Sequence, residues 1–455
     1  TFSIDVDGAS YSNSRRFISG GSLPPPDAVR FEEFINYFNY AYTAPSGSEP
    51  FAVNSQLSDC PWNEKHKLLH IGLQGARLEM ENTPASNLVF LLDVSGSMND
   101  PNKLPLLKSS FGLLVDQLDQ DDRIAIVVYA GASGLILPPT TCDQKETILM
   151  ALDNLSAGGS TAGAEGIQLA YKTARESFIS EGNNRIILAT DGDFNVGVSS
   201  DAELQRLVEK NREDGIFLSI FGFGTGNLQD AKMEKMADNG NGNYYYIDSM
   251  FEAQKVLVSE IGGTLHVIAK DVKIQVEFNP AKVHSYRLIG YENRLLEEED
   301  FDNDKKDAGE LGAGHTVTAL YEIVPNALDA PVPVTEYRYQ SVKVNDGAYN
   351  SSEIGNLKLR CKPPTGTVSL LTEIPLIDSH LALGDTEDYF RFSAAVAEFG
   401  MLLRDSEYKG NSSYEQVLAL AAGAKGADEH GYRQEFIKLV KIAESLASTS
   451  VSTGK

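Results

Sequence analysis

Cysteine is scarce in this chain of 455 residues. Cys60, Cys142 and Cys361 lie far apart and show no CxxC spacing, which excludes a cysteine zinc site and a disulfide framework and leaves room for one bridge at most. Long apolar runs are also missing, so the sequence predicts no membrane-spanning helix. No charged-then-apolar leader precedes Thr1. We therefore expect a mature or trimmed product whose targeting signal lies outside this sequence.

Positive charge is in short supply as well. The chain has 39 Lys and Arg against 64 Asp and Glu, a formal net charge of −25. Nucleic acid and anionic lipid both bind cationic surfaces, so neither is an expected partner. The sequence contains no HExxH motif, P-loop or evident Ser–His pair, and its seven histidines form no cluster. We therefore expect a protein that is not an enzyme.

Residues 87–262 alternate between apolar runs and segments with helical periodicity. The apolar runs are continuous, as in parallel strands that are buried on both faces. The fold class predicted for this region is α/β, with a doubly wound, mostly parallel sheet. The expected strands are Leu88–Leu92, Ile124–Tyr129, Arg185–Ala189 and Phe217–Phe223, and the expected helices are Lys103–Leu118, Lys145–Asn154, Ala164–Phe178, Asp201–Asp214, Leu228–Asp238 and Met250–Gly262.

The regions on either side of this domain have different patterns. Between 265 and 345, the segments DVKIQVEF, HTVTALYEIV and YRYQSVKV alternate as in an antiparallel sheet with one wet face. Residues 51–78 have the same character and are expected to pair with that sheet, which would make the α/β domain an insertion in or beside a β-sandwich. Residues 386–447 indicate a helical module. The predicted parts are an N-terminal flanking segment (1–50), pairing β-strands (51–85), the α/β domain (86–262), a β-sandwich-like domain (263–375) and a helical C-terminal module (376–455).

An aromatic segment lies near the N-terminus. The sequence predicts a helix at Ala28–Tyr37, after a run of prolines at 24–26. Such a stripe could form a contact surface for a partner, but we expect it to pack on its own domain. Its members are Phe31, Phe34, Tyr37, Phe38, Tyr40 and Tyr42.

Oxygen-bearing side chains follow several of the predicted parallel strands. Asp93 ends the first strand, in the stretch NLVFLLDVSGSMN, and a TDGD turn follows the strand at 185–189. A third loop, AGGSTAG, precedes a helix. Ligands bind where the carboxyl ends of parallel strands meet. Alone, the first turn could equally cap the next helix. Together the loops predict a site for a hard cation, Mg²⁺ or alternatively Ca²⁺ or Mn²⁺, at Asp93, Ser95, Ser97, Thr161 and Asp191.

These separated elements resemble the metal-ion-dependent adhesion site (MIDAS) of von Willebrand factor type A (VWA) domains. The resemblance implies that Ser95, Ser97 and Thr161 are direct or near-direct metal ligands, and that Asp93 and Asp191 bind the ion directly or through water. It also implies that a carboxylate of a protein or glycan partner completes the coordination. In such domains ligand entry shifts the last helix, so we expect ligand binding here to change the angle between the VWA domain and the β region.

The resemblance extends over nearly the whole chain. The stretches FSIDVDGASYSNSRRFI, LPPPDAVRFEEFINYFNYAY, CPWNEKHKLLHIGLQG and FGMLLRDSEYKGNSSYEQVLALA are similar to bacterial YfbK-like surface proteins. Many members of that group carry a lipoprotein signal. The resemblance therefore implies an extracytoplasmic location in the cell envelope, in the periplasm or at the outer surface, with a lipid tether that this sequence does not contain.

Two other functions stay open at this stage. SIDVDGAS resembles the motif of haloacid-dehalogenase phosphatases, in which Asp5 would be the nucleophile and Asp7 the acid/base of a metal-dependent phosphohydrolase. The later motifs of such an enzyme fit poorly, and we expect the two aspartates to lie in a loop. VWA domains also serve as co-chaperones of AAA+ ATPases, which would make this chain an intracellular protein.

A second acidic cluster lies at EEEDFDNDKKDAGE. Asp300, Asp302 and Asp304 have the spacing of a calcium loop, but Lys305 stands where an EF-hand loop has glycine. We therefore interpret it mainly as a solvated connection, and a second cation site at these aspartates is the alternative.

Overall fold

The structure, a computed structural model, describes residues 1–4, 6–78, 83–130, 133–159, 163–192, 201–225, 230–326 and 344–453. The first elements are β1 (Phe2–Ser3), α1 (Ala9–Ser19), α2 (Phe31–Asn36), β2 (Phe51–Cys60) and β3 (Asn63–Gly75). The α/β region comprises β4 (Ser86–Asp93), α3 (Leu104–Gln117), β5 (Arg123–Tyr129), β6 (Ser133–Thr141), α4 (Lys145–Asp153), α5 (Gly163–Glu176), β7 (Asn183–Thr190), α6 (Asp201–Glu213), β8 (Ile216–Phe223), α7 (Asp230–Asn239), β9 (Tyr244–Ile247), α8 (Met250–Gln254), a π-helical turn (Lys255–Ser259) and α9 (Ile261–Leu265).

The remaining elements form the β region and the C-terminal helices. They are β10 (Val267–Phe278), β11 (Val283–Leu288), β12 (Leu311–Gly312), β13 (Thr316–Pro325), α10 (Asp346–Asn350), β14 (Glu353–Lys362), β15 (Leu370–Ile377), α11 (Asp388–Leu403), α12 (Tyr414–Gly423) and α13 (Tyr432–Thr453). In the part of the chain described above, no helix combines the length and the apolar character that crossing a bilayer requires.

The central sheet has the strand order β6-β5-β4-β7-β8-β9. Its strands are parallel except β6, which runs antiparallel to β5 at one edge. All eight residues of β4 are buried, because helices cover both faces of the sheet. The strand order reverses at β4, which lies between β5 and β7. Its carboxyl end is therefore the place where α/β sheets bind ligands.

Each face of this sheet has its own apolar core. Leu88, Phe90 and Leu92 of β4 pack with α3, α4 and the segments α8 and α9. Val89 and Leu91, which point the opposite way, pack with α5, α6 and α7. The apolar side chains of α3, including Leu107, Phe111 and Leu114, are buried in the first of these cores. The doubly wound α/β fold is confirmed.

The β region is a sandwich of two antiparallel sheets. One has the order β1-β10-β14-β15, with β12 also paired to β10, and the other has the order β11-β13-β3-β2. Side chains from both sheets, including Ile71 of β3, Ile274 of β10 and Leu359 of β14, share one apolar core. β3 pairs with β13 although the whole α/β region separates them in the sequence. The α/β region is thus inserted into the sandwich, whereas the exact bounds of the parts stay a prediction.

The C-terminal helices share a core with the N-terminal aromatic segment. The six aromatic side chains of that segment are all buried. Phe38 packs edge-on against Phe392 of α11 and Phe436 of α13, with ring centroids 5.0 and 5.5 Å apart. The aromatic stripe therefore joins the first and the last part of the chain, and the expected helical module is confirmed.

The structure differs from the sequence-based expectations in several elements. The helix predicted at Ala28–Tyr37 is the shorter α2, and α1 was not expected because its sequence, ASYSNSRRFIS, is rich in residues that favour caps and turns. Packing overrides this weak propensity: most of α1 is buried. The helix predicted at Met250–Gly262 is divided into α8, the π-helical turn and α9. The strand predicted at YRYQSVKV lies almost entirely outside the described residues.

Candidate metal site

Two strand ends meet at the candidate site. Asp93 is the last residue of β4, and Asp191 directly follows Thr190 at the end of β7. The turn after β4 is extended at Ser95 and then forms a short 3₁₀ turn at Gly96–Asn99. Because β4 and β7 are parallel neighbours, their carboxyl ends lie at the same edge of the sheet. The sequence-predicted residues Asp93, Ser95, Ser97 and Asp191 are brought to that edge.

The loop that leads to Thr161 is attached to the same turn. The amide of Gly158 donates to the carbonyl of Val94 (2.8 Å), and the amide of Gly96 donates to the carbonyl of Gly159 (3.1 Å). These two backbone bonds hold the 158–159 segment beside the turn. Thr161 itself lies outside the described residues, so its place as a ligand stays a prediction.

Asp93 is fully buried and accepts hydrogen bonds on both oxygens. Its Oδ1 accepts from the amide of Ser95 (2.8 Å), and its Oδ2 accepts from the hydroxyls of Tyr129 and Thr190 (both 3.3 Å). Burial raises the pKa of Asp93, the Ser95 hydrogen bonds oppose that rise, and the nearby charge of Asp191 adds to it. A cation at the site would favour the ionised carboxylate.

The two serines of the turn place their hydroxyls together. Ser95 Oγ and Ser97 Oγ are 3.0 Å apart, within hydrogen-bonding distance of each other. Ser95 is buried, whereas Ser97 is exposed to solvent. The hydroxyl pair therefore forms the boundary between the buried carboxylates and the surface, where a ligand from outside would arrive.

A lysine that the sequence analysis did not select completes the site. Lys103, the residue before α3, donates from Nζ to Asp191 Oδ2 (2.9 Å) and to the carbonyl of Ser97 (3.0 Å). Both partners are almost fully buried, since the side chains of Lys103 and Asp191 are 8% and 0% exposed. The ammonium group is thus a buried counter-charge for Asp191.

The donor set suits a hard divalent cation. It consists of two carboxylates and two hydroxyls, with no imidazole or thiolate, as Mg²⁺, Mn²⁺ and Ca²⁺ prefer. In the described ranges, no group of three or more His, Cys, Asp or Glu side chains could hold a metal. The site thus relies on neutral oxygens as well as its two aspartates. The residues present fit the ion that the MIDAS resemblance implies.

Comparison with known proteins identifies the family of the chain. Residues 87–260 match the family described as the von Willebrand factor type A domain. Residues 263–446 match the family described as the C-terminal part of the uncharacterized protein YfbK, and residues 1–70 match the one described as von Willebrand factor. The uncharacterized protein YfbK of Escherichia coli (strain K12) is 47% identical over 457 residues, which cover 99% of this chain and 79% of that protein. The chain belongs to the YfbK family.

Solved structures with a similar fold are more distant from this YfbK-family chain. A von Willebrand factor type A protein from Catenulispora acidiphila is 14% identical, with a TM-score of 0.46 over 87% of this chain and 91% of that one. Proximal thread matrix protein 1 of the mussel byssus, whose structure has a zinc-occupied MIDAS motif, is 23% identical, with a TM-score of 0.32 over 39% of this chain and 45% of that one. The family assignment rests on YfbK itself.

The match of residues 87–260 to the VWA domain indicates the general role of the site. VWA domains bind a divalent metal at the MIDAS and mediate protein–protein interactions. Three residues around the predicted ligands were not predicted from the sequence: Lys103, Tyr129 and Thr190. Tyr129 was detectable in principle, because it ends β5 and pairs in register with Asp93.

In the second acidic cluster of this YfbK-family chain, each of the three aspartates already binds another residue of the chain. Asp302 forms an ion pair with Arg360 (2.5 Å), and Asp300 forms one with Lys306 (3.3 Å). Asp304 accepts a hydrogen bond from the amide of Ser369 on Oδ2 (3.5 Å), while its carbonyl accepts from Lys362 (2.6 Å). The three carboxylates thus face different partners, an arrangement that favours the solvated connection over a second cation site.

Asp7, the predicted acid/base of the phosphohydrolase alternative, has structural partners. It is buried, its Oδ1 accepts from the amide of Tyr244 (2.7 Å) and its Oδ2 accepts from Arg294 (3.3 Å). These contacts tie the N-terminal segment to β9 and to the loop after β11. Asp5 lies outside the described residues. The environment of Asp7 favours the loop interpretation over a catalytic one.

Proposed function

We propose that this protein is a non-enzymatic interaction module, which binds an acidic group of a protein or glycan partner through a divalent cation at the MIDAS. The observation that carries the proposal is the convergence of Asp93, Ser95, Ser97 and Asp191 at the carboxyl edge of β4 and β7. Thr161 is proposed as the fifth ligand, and Mg²⁺ as the ion, with Ca²⁺ or Mn²⁺ as alternatives.

Exposure of the site supports a role in binding a partner. The two aspartates are buried, whereas Ser97 faces solvent at the top of the site. A bound divalent cation would supply a Lewis-acid position for an incoming carboxylate oxygen. Two ionised carboxylates balance the charge of a divalent ion, so the ammonium group of Lys103 leaves the occupied site with a net positive charge, which favours an anionic ligand. We place the protein in the bacterial cell envelope, outside the cytoplasm and held by a lipid anchor.

The helix that follows the central sheet is held from outside the VWA domain. Arg15 of α1 binds Asp248, just before α8, at 2.5 Å and Glu252 within α8 at 2.7 Å. Tyr37 donates to the same Glu252 carboxylate (2.6 Å) and accepts from Arg15 (2.8 Å). These buried bonds connect α8 to the N-terminal segment. If partner binding moves α8, the movement is transmitted to this segment as well as to the β-sandwich.

A π-helical turn marks the place where this movement would occur. Residues Lys255–Ser259 form the turn between α8 and α9. Lys255 lies over the ring of Tyr37 (4.3 Å from Nζ to the centroid) and pairs with Glu260 (2.6 Å). Such turns interrupt the regular hydrogen-bond ladder and are frequent at functional sites. We propose that the coupling between ligand binding and domain angle acts through this segment.

Metal binding is tested first with Ser97→Ala, because Ser97 is exposed and its replacement leaves the core intact. Ser109→Ala is a matched control, since Ser109 is an exposed serine of α3 whose hydroxyl, among the residues that the structure describes, bonds only the carbonyl of Pro105 (3.1 Å). Titration calorimetry with MgCl₂ should show binding to the wild type and to Ser109→Ala. Binding to Ser97→Ala should be weaker by about tenfold or more, as expected for a lost ligand.

Partner binding is tested with the same proteins immobilised and exposed to the envelope fraction of the source organism. A partner that binds through the ion should be retained by wild type and Ser109→Ala in Mg²⁺, and lost with chelator or with Ser97→Ala. Equal retention in all conditions would remove the metal ion from the function. A retained partner that is an AAA+ ATPase would favour the co-chaperone alternative.

A further inference from the structure

A polar cavity lies at the end of the central sheet opposite the metal site. It has a volume of about 310 Å³, is partly open to solvent, and is lined by the amino ends of β7 and β9 on one side and by the β-sandwich on the other. Asn241 and Asn243 before β9, Gly309 beside β12 and His315 before β13 contribute to its walls. A space of this size holds about ten water molecules or one small polar ligand.

Arg185 of β7 lines this cavity from the VWA side. It is 1% exposed. Its Nη1 donates to the hydroxyl of Ser219 (2.7 Å), and its guanidinium lies 5.5 Å from the ring centroid of Phe217. Its Nε has no hydrogen-bond partner, and in the part of the chain that the structure describes no carboxylate forms an ion pair with it. Arg185 is thus a buried cation with only one neutral hydrogen-bond acceptor.

The other charged side chains around the cavity are bound to neighbours. Arg294 pairs with Asp238, and Lys306 with Asp300 (3.3 Å). The remaining two are acidic: Asp307 pairs with Arg212 (2.5 Å), and Glu310 accepts from Asn241 Nδ2 (2.9 Å).

An unpaired guanidinium in such a place is costly. Burial lowers the pKa of Arg185, and the charges of Glu310 and Tyr245 offset this only in part. An arginine nonetheless stays protonated, because its ordinary pKa is above about 12. Buried charges in proteins are generally paired or bound to a ligand. The missing partner of Arg185 is therefore expected inside the cavity.

We propose that this cavity binds a small oxyanion, the carboxylate or phosphate group of a polar molecule, with the Arg185 guanidinium as its buried counter-ion. The planar guanidinium suits two oxygens of such a group. The Glu310 carboxylate of the opposite wall and the side-chain amides of Asn241 and Asn243 suit hydroxyl or amino groups elsewhere on the ligand. This site is separate from the MIDAS: Arg185 precedes Asp191 by six residues, about 20 Å along an extended strand.

The test uses the full chain and two simple probes, inorganic phosphate and malonate, against chloride at equal ionic strength. Arg185→Met removes the guanidinium but keeps an unbranched apolar side chain. Arg123→Met is the matched control, because Arg123 lies at the same amino edge of the sheet, as the first residue of β5, but is exposed. Titration calorimetry should show that wild type and Arg123→Met bind phosphate, malonate or both, and that Arg185→Met binds about tenfold or more weakly.

A second readout covers the case in which the variant is unstable. Crystals of the wild type grown with selenate should show an anomalous peak beside the Arg185 guanidinium. A response to malonate alone assigns a carboxylate ligand, and a response to phosphate alone assigns a phosphoryl ligand. Absence of both the selenate peak and any heat of binding to the wild type would overturn the proposal, and would leave a cavity that holds only water.

Discussion

Lys103 provides the sharpest prediction about the metal site. Its ammonium group lies 2.9 Å from Asp191 Oδ2, and both side chains are buried. At an effective dielectric constant of about 20, the attraction at this distance is roughly 6 kcal/mol, of which desolvation cancels a large part. Removal of one member of such a pair costs about 3 kcal/mol, because the other charge stays buried and unpaired. We therefore expect Lys103→Met to destabilise the metal-free protein by about this amount.

A divalent ion should reverse most of that loss. In the metal-bound state Asp191 has the ion as its counter-charge, and the ammonium of Lys103 repels the same ion. Lys103→Met should therefore bind Mg²⁺ more tightly than the wild type, and its stabilisation by saturating Mg²⁺ should exceed that of the wild type by about 3 kcal/mol. For a domain of about 150–250 residues, the size range of the VWA domain, 3 kcal/mol corresponds to a shift of roughly 6–12 °C in melting temperature.

The assay is thermal unfolding of the full chain in chelator and in saturating MgCl₂, followed by titration calorimetry. Lys108→Met is the control, because Lys108 lies one turn into α3 and, within the described part of the chain, donates only to the carbonyls of Asp153 and Leu155 (2.5 and 3.0 Å). Its Mg²⁺-dependent shift should equal that of the wild type. An identical shift for Lys103→Met would refute the idea that the ammonium group and the ion compete for Asp191.

Three further variants test other parts of the structure. Burial raises the pKa of Glu398 to about 8 from its ordinary 4.5. The stability that the protonated group contributes is therefore lost as pH rises from about 4.5 through 8. Glu398→Gln should flatten the plot of unfolding free energy, measured in urea, against pH across that window, by up to about 1.4 kcal/mol per pH unit. Profiles of equal slope would contradict this. Gly224 has φ +73°, and a Cβ there would lie 2.4 Å from Lys103 Cε. Gly224→Ala should therefore lower the free energy of unfolding by about 1–3 kcal/mol, and its loss should be less than additive with that of Lys103→Met. Fully additive losses would mean that the two residues act independently. Arg15→Met leaves Asp248 and Glu252 unpaired and should cost about 3–5 kcal/mol in urea unfolding, whereas a loss well below that would mean that α8 is held by other contacts.

The N-terminal segment has a larger structural role than its length suggests. α1 contributes Arg15 to the last helix of the VWA domain, and Tyr11 donates to Glu435 of α13 (2.9 Å). β1 adds a strand to the sandwich by pairing with β10. The segment thus contacts all three parts of the chain. The similarity to YfbK likewise extends over 99% of the chain, beyond the VWA domain.

The sequence by itself determined the central sheet and the residues at its edge. Strands buried on both faces must be continuously apolar, and the side chains that end them must lie at one edge, so Asp93 and Asp191 could be placed without coordinates. Short-range patterns also predicted the helical module. These features depend on local periodicity and on the fixed direction of parallel strands.

Only the tertiary structure decided what surrounds those residues. Lys103 reaches Asp191 from 88 positions away, and β3 finds β13 across the inserted domain. Arg185 lies near the start of β7, a place that the sequence would leave in solvent, and the sandwich buries it beside a cavity. Long-range contacts of this kind follow from how whole layers pack, and a single sequence carries no periodic signal for them.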